Sequence, residues 1–127
     1  LHGLDVLVVE DNADASEIIT VVLADAGASV RLGVDVESAL QLFDQKWPDV
    51  LFSDIGLPGR DGYDLIREVR ERERLLGKPR LFSVAHTAFT RPQDLAKTTE
   101  TGFDAHLGKP LQPHALVALV ASRATAG

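Results

Sequence analysis

Three short oily runs constrain this chain most: LDVLVV (Leu4–Val9), DVLFS (Asp49–Ser53) and RLFSVA (Arg80–Ala85). They are rich in β-branched residues and largely lack the polar–apolar alternation of a sheet with one wet face. Each is therefore expected as a strand covered on both sides. Weaker runs at Ala28–Leu32 and Ala105–Leu107 bring the count of expected strands to five.

Helical patterns fill the gaps. The first covers Asp14–Ala26, capped by Asn12 or Asp14, with Ile18, Val21 and Val22 on its buried side and Gly27 as its stop. A second covers Val36–Gln45 behind the cap Asp35, and a third covers Tyr63–Leu76, closed by Gly77. A fourth spans Pro92–Thr101, closed by Gly102. The fifth spans Pro113–Arg123, with proline in the first turn and Leu116, Val117 and Val120 as its stripe. Strand and helix alternate five times, which implies an α/β fold with a parallel sheet covered on both faces.

Composition narrows the function. With 127 residues the chain suits one domain with a real core. A net charge of -6 argues against a direct nucleic-acid partner. The absence of cysteine excludes disulfides, thiolate metal sites and cysteine nucleophiles, and suits a reducing compartment. No apolar run approaches the ~20 residues of a membrane span, so no direct membrane contact is expected and the cytoplasm is the expected location, whatever anchors a parent protein. Methionine is also absent, so a processed or longer polypeptide is expected, with residues 1–4 as a linker remnant, a domain over 5–123 and a tail at 124–127.

Ligands of open parallel sheets bind beyond the carboxyl ends of the strands. There the sequence places Glu10, Asp11 and Asn12 after the first run, Asp54 after the third, Thr87 after the fourth, and Lys109 and Pro110 after the fifth. Asp11 alone reads equally well as a helix cap. Asp54 does not, because the proline and glycine loop IGLPGR follows it and capping begins only at Asp61 or Gly62. Carboxylates brought together repel unless a cation neutralises them, and hard oxygen ligands suit Mg²⁺. With lysine and threonine to meet phosphoryl oxygens, the set describes phosphoryl transfer with an aspartate nucleophile.

The segments VLVVEDN, DIGLPGRDGYDL, HTAF and GFDAHLGKPL, in this order, resemble the receiver domain of two-component response regulators over nearly the whole chain. The resemblance implies a flavodoxin-like (βα)5 three-layer sandwich with strand order 2-1-3-4-5. It implies that Asp54 accepts a phosphoryl group from a phosphohistidine and that Glu10, Asp11, Asp54 and the Gly56 carbonyl bind Mg²⁺, with Mn²⁺ able to substitute. Lys109 matches the lysine that contacts the phosphoryl group, and Thr87 the hydroxyl that moves toward it. The small Ala88 would leave water room to reach the acyl phosphate. The implied partners are a histidine kinase dimerisation domain or a histidine phosphotransfer protein, with homodimerisation on phosphorylation a further outcome. The details most resemble receivers of hybrid sensor histidine kinases. Such a domain catalyses its own phosphorylation and dephosphorylation without being a turnover enzyme, although its parent can be a kinase.

Two positions depart from the family pattern. His106 stands where tyrosine or phenylalanine is common, and His86 stands where an apolar residue is usual. For both, filling space or facing water is favoured over metal ligation. A pH-sensitive switch at His106 is a hypothesis to test by comparing populations at two pH values. The alternative function, a phosphorylation-independent binding module, would predict loss of an essential residue, yet Glu10, Asp11, Asp54, Thr87 and Lys109 are all present. An aspartyl phosphatase would want DxD after the first strand, and a nucleotide-binding reductase a glycine-rich turn there. The run REVRERER reads as a solvated helix face of four-spaced pairs, while apolar surface around Ala15 and Ile18 is a hypothetical docking face for the domain carrying the donor histidine.

Overall fold

The computed structural model describes residues 1–126, with side chains through Arg123. Five strands, β1 (Asp5–Val9), β2 (Ser29–Gly33), β3 (Val50–Asp54), β4 (Phe82–Thr87) and β5 (Ala105–Gly108), alternate with five helices. These are α1 (Ala13–Asp25), α2 (Val36–Gln45), α3 (Gly62–Leu76), α4 (Pro92–Thr101) and α5 (Pro113–Ala126). All neighbouring strands are parallel, in the order β2-β1-β3-β4-β5. The expected fold, including the strand order, is present.

The central strands owe their composition to their place. Every residue of β1 and β3 is buried, and β4 is buried from Ser83 onward. Alternate residues serve two cores. Leu7, Val9, Leu51 and Ala85 pack with α2 and α3 residues such as Phe43, Leu65 and Ile66. Val6, Val8, Phe52 and Val84 pack under α1 and α5 against Ile19, Leu23, Leu116 and Val120. The edge strands β2 and β5 are only partly covered, which explains their weaker signals.

Helix boundaries follow local chemistry. The Asn12 side chain accepts from Ala15 N and starts α1, while Asp35 and Asp61 form capping boxes with Ser38 and Asp64. Gly77 ends α3 in a left-handed conformation. The expected buried side of α1 needs correction: Ser16, Ile19 and Leu23 face inward, whereas Ile18 and Val21 are exposed. Apolar Ile18 and Val21 share the outer side with Asp14, Glu17 and Asp25 while polar Ser16 is buried, so periodicity alone leaves the phase of the helix open. In α5, Leu116 and Val120 are buried as expected and Val117 is half-buried. β4 begins two residues later than expected.

Both ends of the described chain are ordered against the domain. Leu1 and Leu4 pack against the α1/α5 core, and the Leu1 amino group donates to Ala26 O at 2.9 Å. α5 continues to Ala126, through residues expected as tail, while Gly127 lies outside the described residues. No described helix is long and apolar enough to cross a membrane.

Candidate functional site

The strand order reverses between β1 and β3, and the carboxyl ends of these two strands carry the acids. Glu10 leaves β1 with its N–H donating to Gly33 O at 3.0 Å, and its carboxylate accepts from Asn12 N at 3.3 Å. Asp54 is the last residue of β3, and its Oδ1 accepts from Gly56 N at 3.2 Å. Glu10 and Asp54 are buried, Asp11 is exposed, and each offers an oxygen within 4.8 Å of the others.

The loop behind Asp54 explains why an aspartate ends an oily run. After Asp54 the chain turns back, and Gly62 N donates to Ile55 O at 2.8 Å. A Cβ at Gly62 would lie 2.5 Å from the Asp54 carbonyl oxygen and 2.8 Å from Ile55 Cα, so only glycine allows α3 to start there. The loop thereby frees the Asp54 carboxylate from capping and leaves it facing the acids of β1.

Among the described residues, one cation reaches this group. Lys109, just beyond β5 and joined to Pro110 by a cis peptide bond, places Nζ 3.0 Å from Asp54 Oδ2. Three carboxylates and one ammonium leave an anionic excess. Burial pushes the Glu10 carboxyl up to about 7, and the neighbouring Asp54 adds to the rise by hydrogen bonding and repulsion. A divalent cation bound by these oxygens would relieve that repulsion, and an all-carboxylate donor set matches Mg²⁺.

Glu10, Asp11, Asp54 and Lys109 line a cavity of about 620 Å³, whose other wall is Ala15, Ile18, Ile19, Pro110 and Leu111. His86 lines it too, although its part could not be assigned from sequence. Burial, helped by the Lys109 charge, pushes this imidazole down to about 4, so it is neutral near pH 7.

The remaining expected residues lie around this centre. Thr87 is buried at the end of β4, and its Oγ1 accepts from Phe89 N at 3.0 Å rather than lining the cavity. Ala88, Gly56 and His106 are exposed. Thus the acids and the lysine converge, while the hydroxyl is held by the following loop.

The model of the response regulator receiver domain family matches residues 6–121. The chain belongs to this family. The receiver is 35% identical to an uncharacterised 14.6 kDa protein of Leptolyngbya boryana, covering 94% of this chain and 89% of that one. It is 33% identical to a probable histidine kinase 2 of Oryza sativa, matching 94% of this chain but 13% of the kinase. Among solved structures, a protein described as a response regulator from Chloroflexus aurantiacus superposes with a TM-score of 0.86 at 32% identity, covering 94% of this receiver and 96% of that chain. Homologous receivers thus occur both as small proteins and as segments of much larger kinases.

Proposed function

We propose that this receiver takes a phosphoryl group onto Asp54 from a phosphohistidine. The observation that carries the reading is the buried Asp54 carboxylate, held 3.0 Å from Lys109 Nζ and grouped with two further acids. In the step, an Asp54 oxygen attacks phosphorus in line, the P–O bond forms and the P–N bond of the donor breaks. The electron pair stays on the departing imidazole. Lys109 exchanges its carboxylate contact for a phosphoryl oxygen and holds the transferred charge.

Glu10, Asp11, Asp54 and the Gly56 carbonyl would hold Mg²⁺, or Mn²⁺ in its place, which when bound supplies charge neutralisation for the phosphoryl oxygens. Thr87 reads the product by giving up its bond to Phe89 N, and His106, exposed on the partly covered β5, is the second switch position. Ala88 leaves the entrance open to water and so limits the lifetime of the acyl phosphate. The donor is a helical domain of a histidine kinase or phosphotransfer protein, seated on the exposed Ile18 and the loop after Lys109. Occurrence of homologous segments in histidine kinases supports a multidomain signalling parent, with a hybrid kinase the favoured form.

The test is intact mass of the purified domain after Mg²⁺ and acetyl phosphate, beside Asp54→Asn and a metal-free control. One phosphoryl increment that needs both Asp54 and Mg²⁺ is expected. Equal uptake by Asp54→Asn would refute the assignment.

A further inference from the structure

Buried polar atoms are almost always bonded, and exceptions call for an explanation. His86 is 4% exposed, and both Nδ1 and Nε2 are buried without a hydrogen-bond partner among the described residues. Its surroundings on the sheet would suit an apolar side chain. Val84, two residues earlier on the same face, is fully buried, and the Phe52 ring centre lies 5.1 Å from the imidazole. An imidazole here costs folding free energy that valine or phenylalanine would not.

Its position says what that cost serves. Asp54 and His86 are directly paired across β3 and β4, so their side chains leave the sheet on the same face. Both line the cavity that also holds Lys109. A neutral imidazole presents one N–H donor and one bare nitrogen acceptor. Among the described residues neither nitrogen has a partner; Lys109 on the same cavity offers a donor, and an anionic group entering the cavity would offer an acceptor.

We propose that His86 is a further phosphoryl-binding residue: its imidazole donates to an oxygen of the phosphoryl group on Asp54 and accepts from Lys109. This rests on the reading of Asp54 as acceptor. His86 takes no phosphoryl group and transfers no proton; it adds one preorganised donor where negative charge gathers during transfer. Its role is distinct from that of Thr87, which points away from it as the next residue on the strand.

The experiment uses this chain with His86→Phe, His86→Val and His86→Asn. The apolar variants are expected to melt higher than wild type without ligand, because the orphaned nitrogens are gone. They are also expected to take up phosphoryl groups from acetyl phosphate about tenfold more slowly, with His86→Asn, which keeps a donor, in between. In ¹⁵N-histidine-labelled wild type, Mg²⁺ with beryllofluoride should shift the His86 ring nitrogens, and Asp54→Asn should abolish the shift. Wild-type uptake rates in a folded apolar variant, or unmoved ring nitrogens, would overturn the proposal while leaving Asp54 as acceptor. No uptake by wild type at all would overturn both readings.

Discussion

The two ends of the sheet both bury charged groups, yet they treat them in opposite ways. At the amino end, Arg70 donates to Glu73 at 2.7 Å, to Leu81 O at 3.0 Å, to Gly102 O at 2.9 Å and to Asp104 at 3.0 Å. Glu73 also accepts from Leu81 N at 2.6 Å, and Asp104 from Ser83 N at 2.8 Å. Asp5, at the start of β1, pairs with Arg31 at 3.0 Å. These charges fix where β4 and β5 begin. At the carboxyl end, among the described residues, three acids share one lysine and the imidazole of His86 has no hydrogen-bond partner. At the amino end each buried acid meets a cation, and only Asp5 Oδ2, in ion-pair contact with Arg31, lacks a hydrogen-bond partner among the described residues; at the carboxyl end the acids outnumber their cation, and a ligand can supply what is missing.

The largest expected effect lies at the amino end. Glu73→Ala would leave Leu81 N without its acceptor and take one of two carboxylates from Arg70, which keeps Asp104, costing about 2 kcal/mol as measured by urea denaturation. Phosphoryl uptake per folded molecule should stay at the wild-type level. A variant of unchanged stability would break the comparison.

At the carboxyl end the sign should reverse. Without Mg²⁺ at pH 8, Glu10→Gln is expected to gain on the order of 1 kcal/mol by removing one repelling charge, while losing Mg²⁺ affinity in a titration followed by NMR. A loss of stability at pH 8 would mean that the acids are already balanced.

The pH dependence sharpens the same point. Glu10 is raised from 4.5 to about 7 in the metal-free fold. Between those values the unfolded chain has lost the proton and the folded chain keeps it, so this group lowers stability as pH rises. The advantage of Glu10→Gln over wild type should therefore grow from pH 5 to pH 8, and saturating Mg²⁺ should erase it. His86 acts in the other direction, since its lowered pKa makes the fold lose stability as pH falls from 6.5 toward 4. Acid denaturation of His86→Phe should thus begin at lower pH than that of wild type.

The smallest effect on the isolated domain should come from the exposed wall of the cavity. Ile18→Asp is expected to leave stability and acetyl phosphate uptake near wild type, because Ile18 is 55% exposed, but to slow transfer from a phosphohistidine protein. Unchanged transfer would remove α1 from the docking surface.

How much of this was legible in the sequence follows the same divide. The oily runs, the caps and the acids at strand ends reveal the fold and the candidate centre, since burial and capping are local. The phase of α1 was not legible, because apolar Ile18 and Val21 lie on its outer side and polar Ser16 on its inner one. The amino-end network was hidden for another reason. Arg70 and Glu73 lie within REVRERER, a run that reads as solvated, and their partners Leu81, Gly102 and Asp104 are distant in sequence. Glu68 and Arg72 do approach at four-residue spacing, to 4.0 Å, but Arg67 turns to Asp64 and Arg74 to Glu71. His86 interrupts an apolar run, and only the pairing of β4 with β3 sets it beside Asp54.

The most direct measurement is the melting temperature of the domain at pH 8, with and without Mg²⁺ and beryllofluoride, for wild type and Asp54→Asn. A carboxyl end short of partners should gain several degrees when the cation and phosphoryl mimic bind together, and Asp54→Asn should lose that gain. A wild type that melts at the same temperature with and without them, or an Asp54→Asn variant that gains equally, would contradict the account.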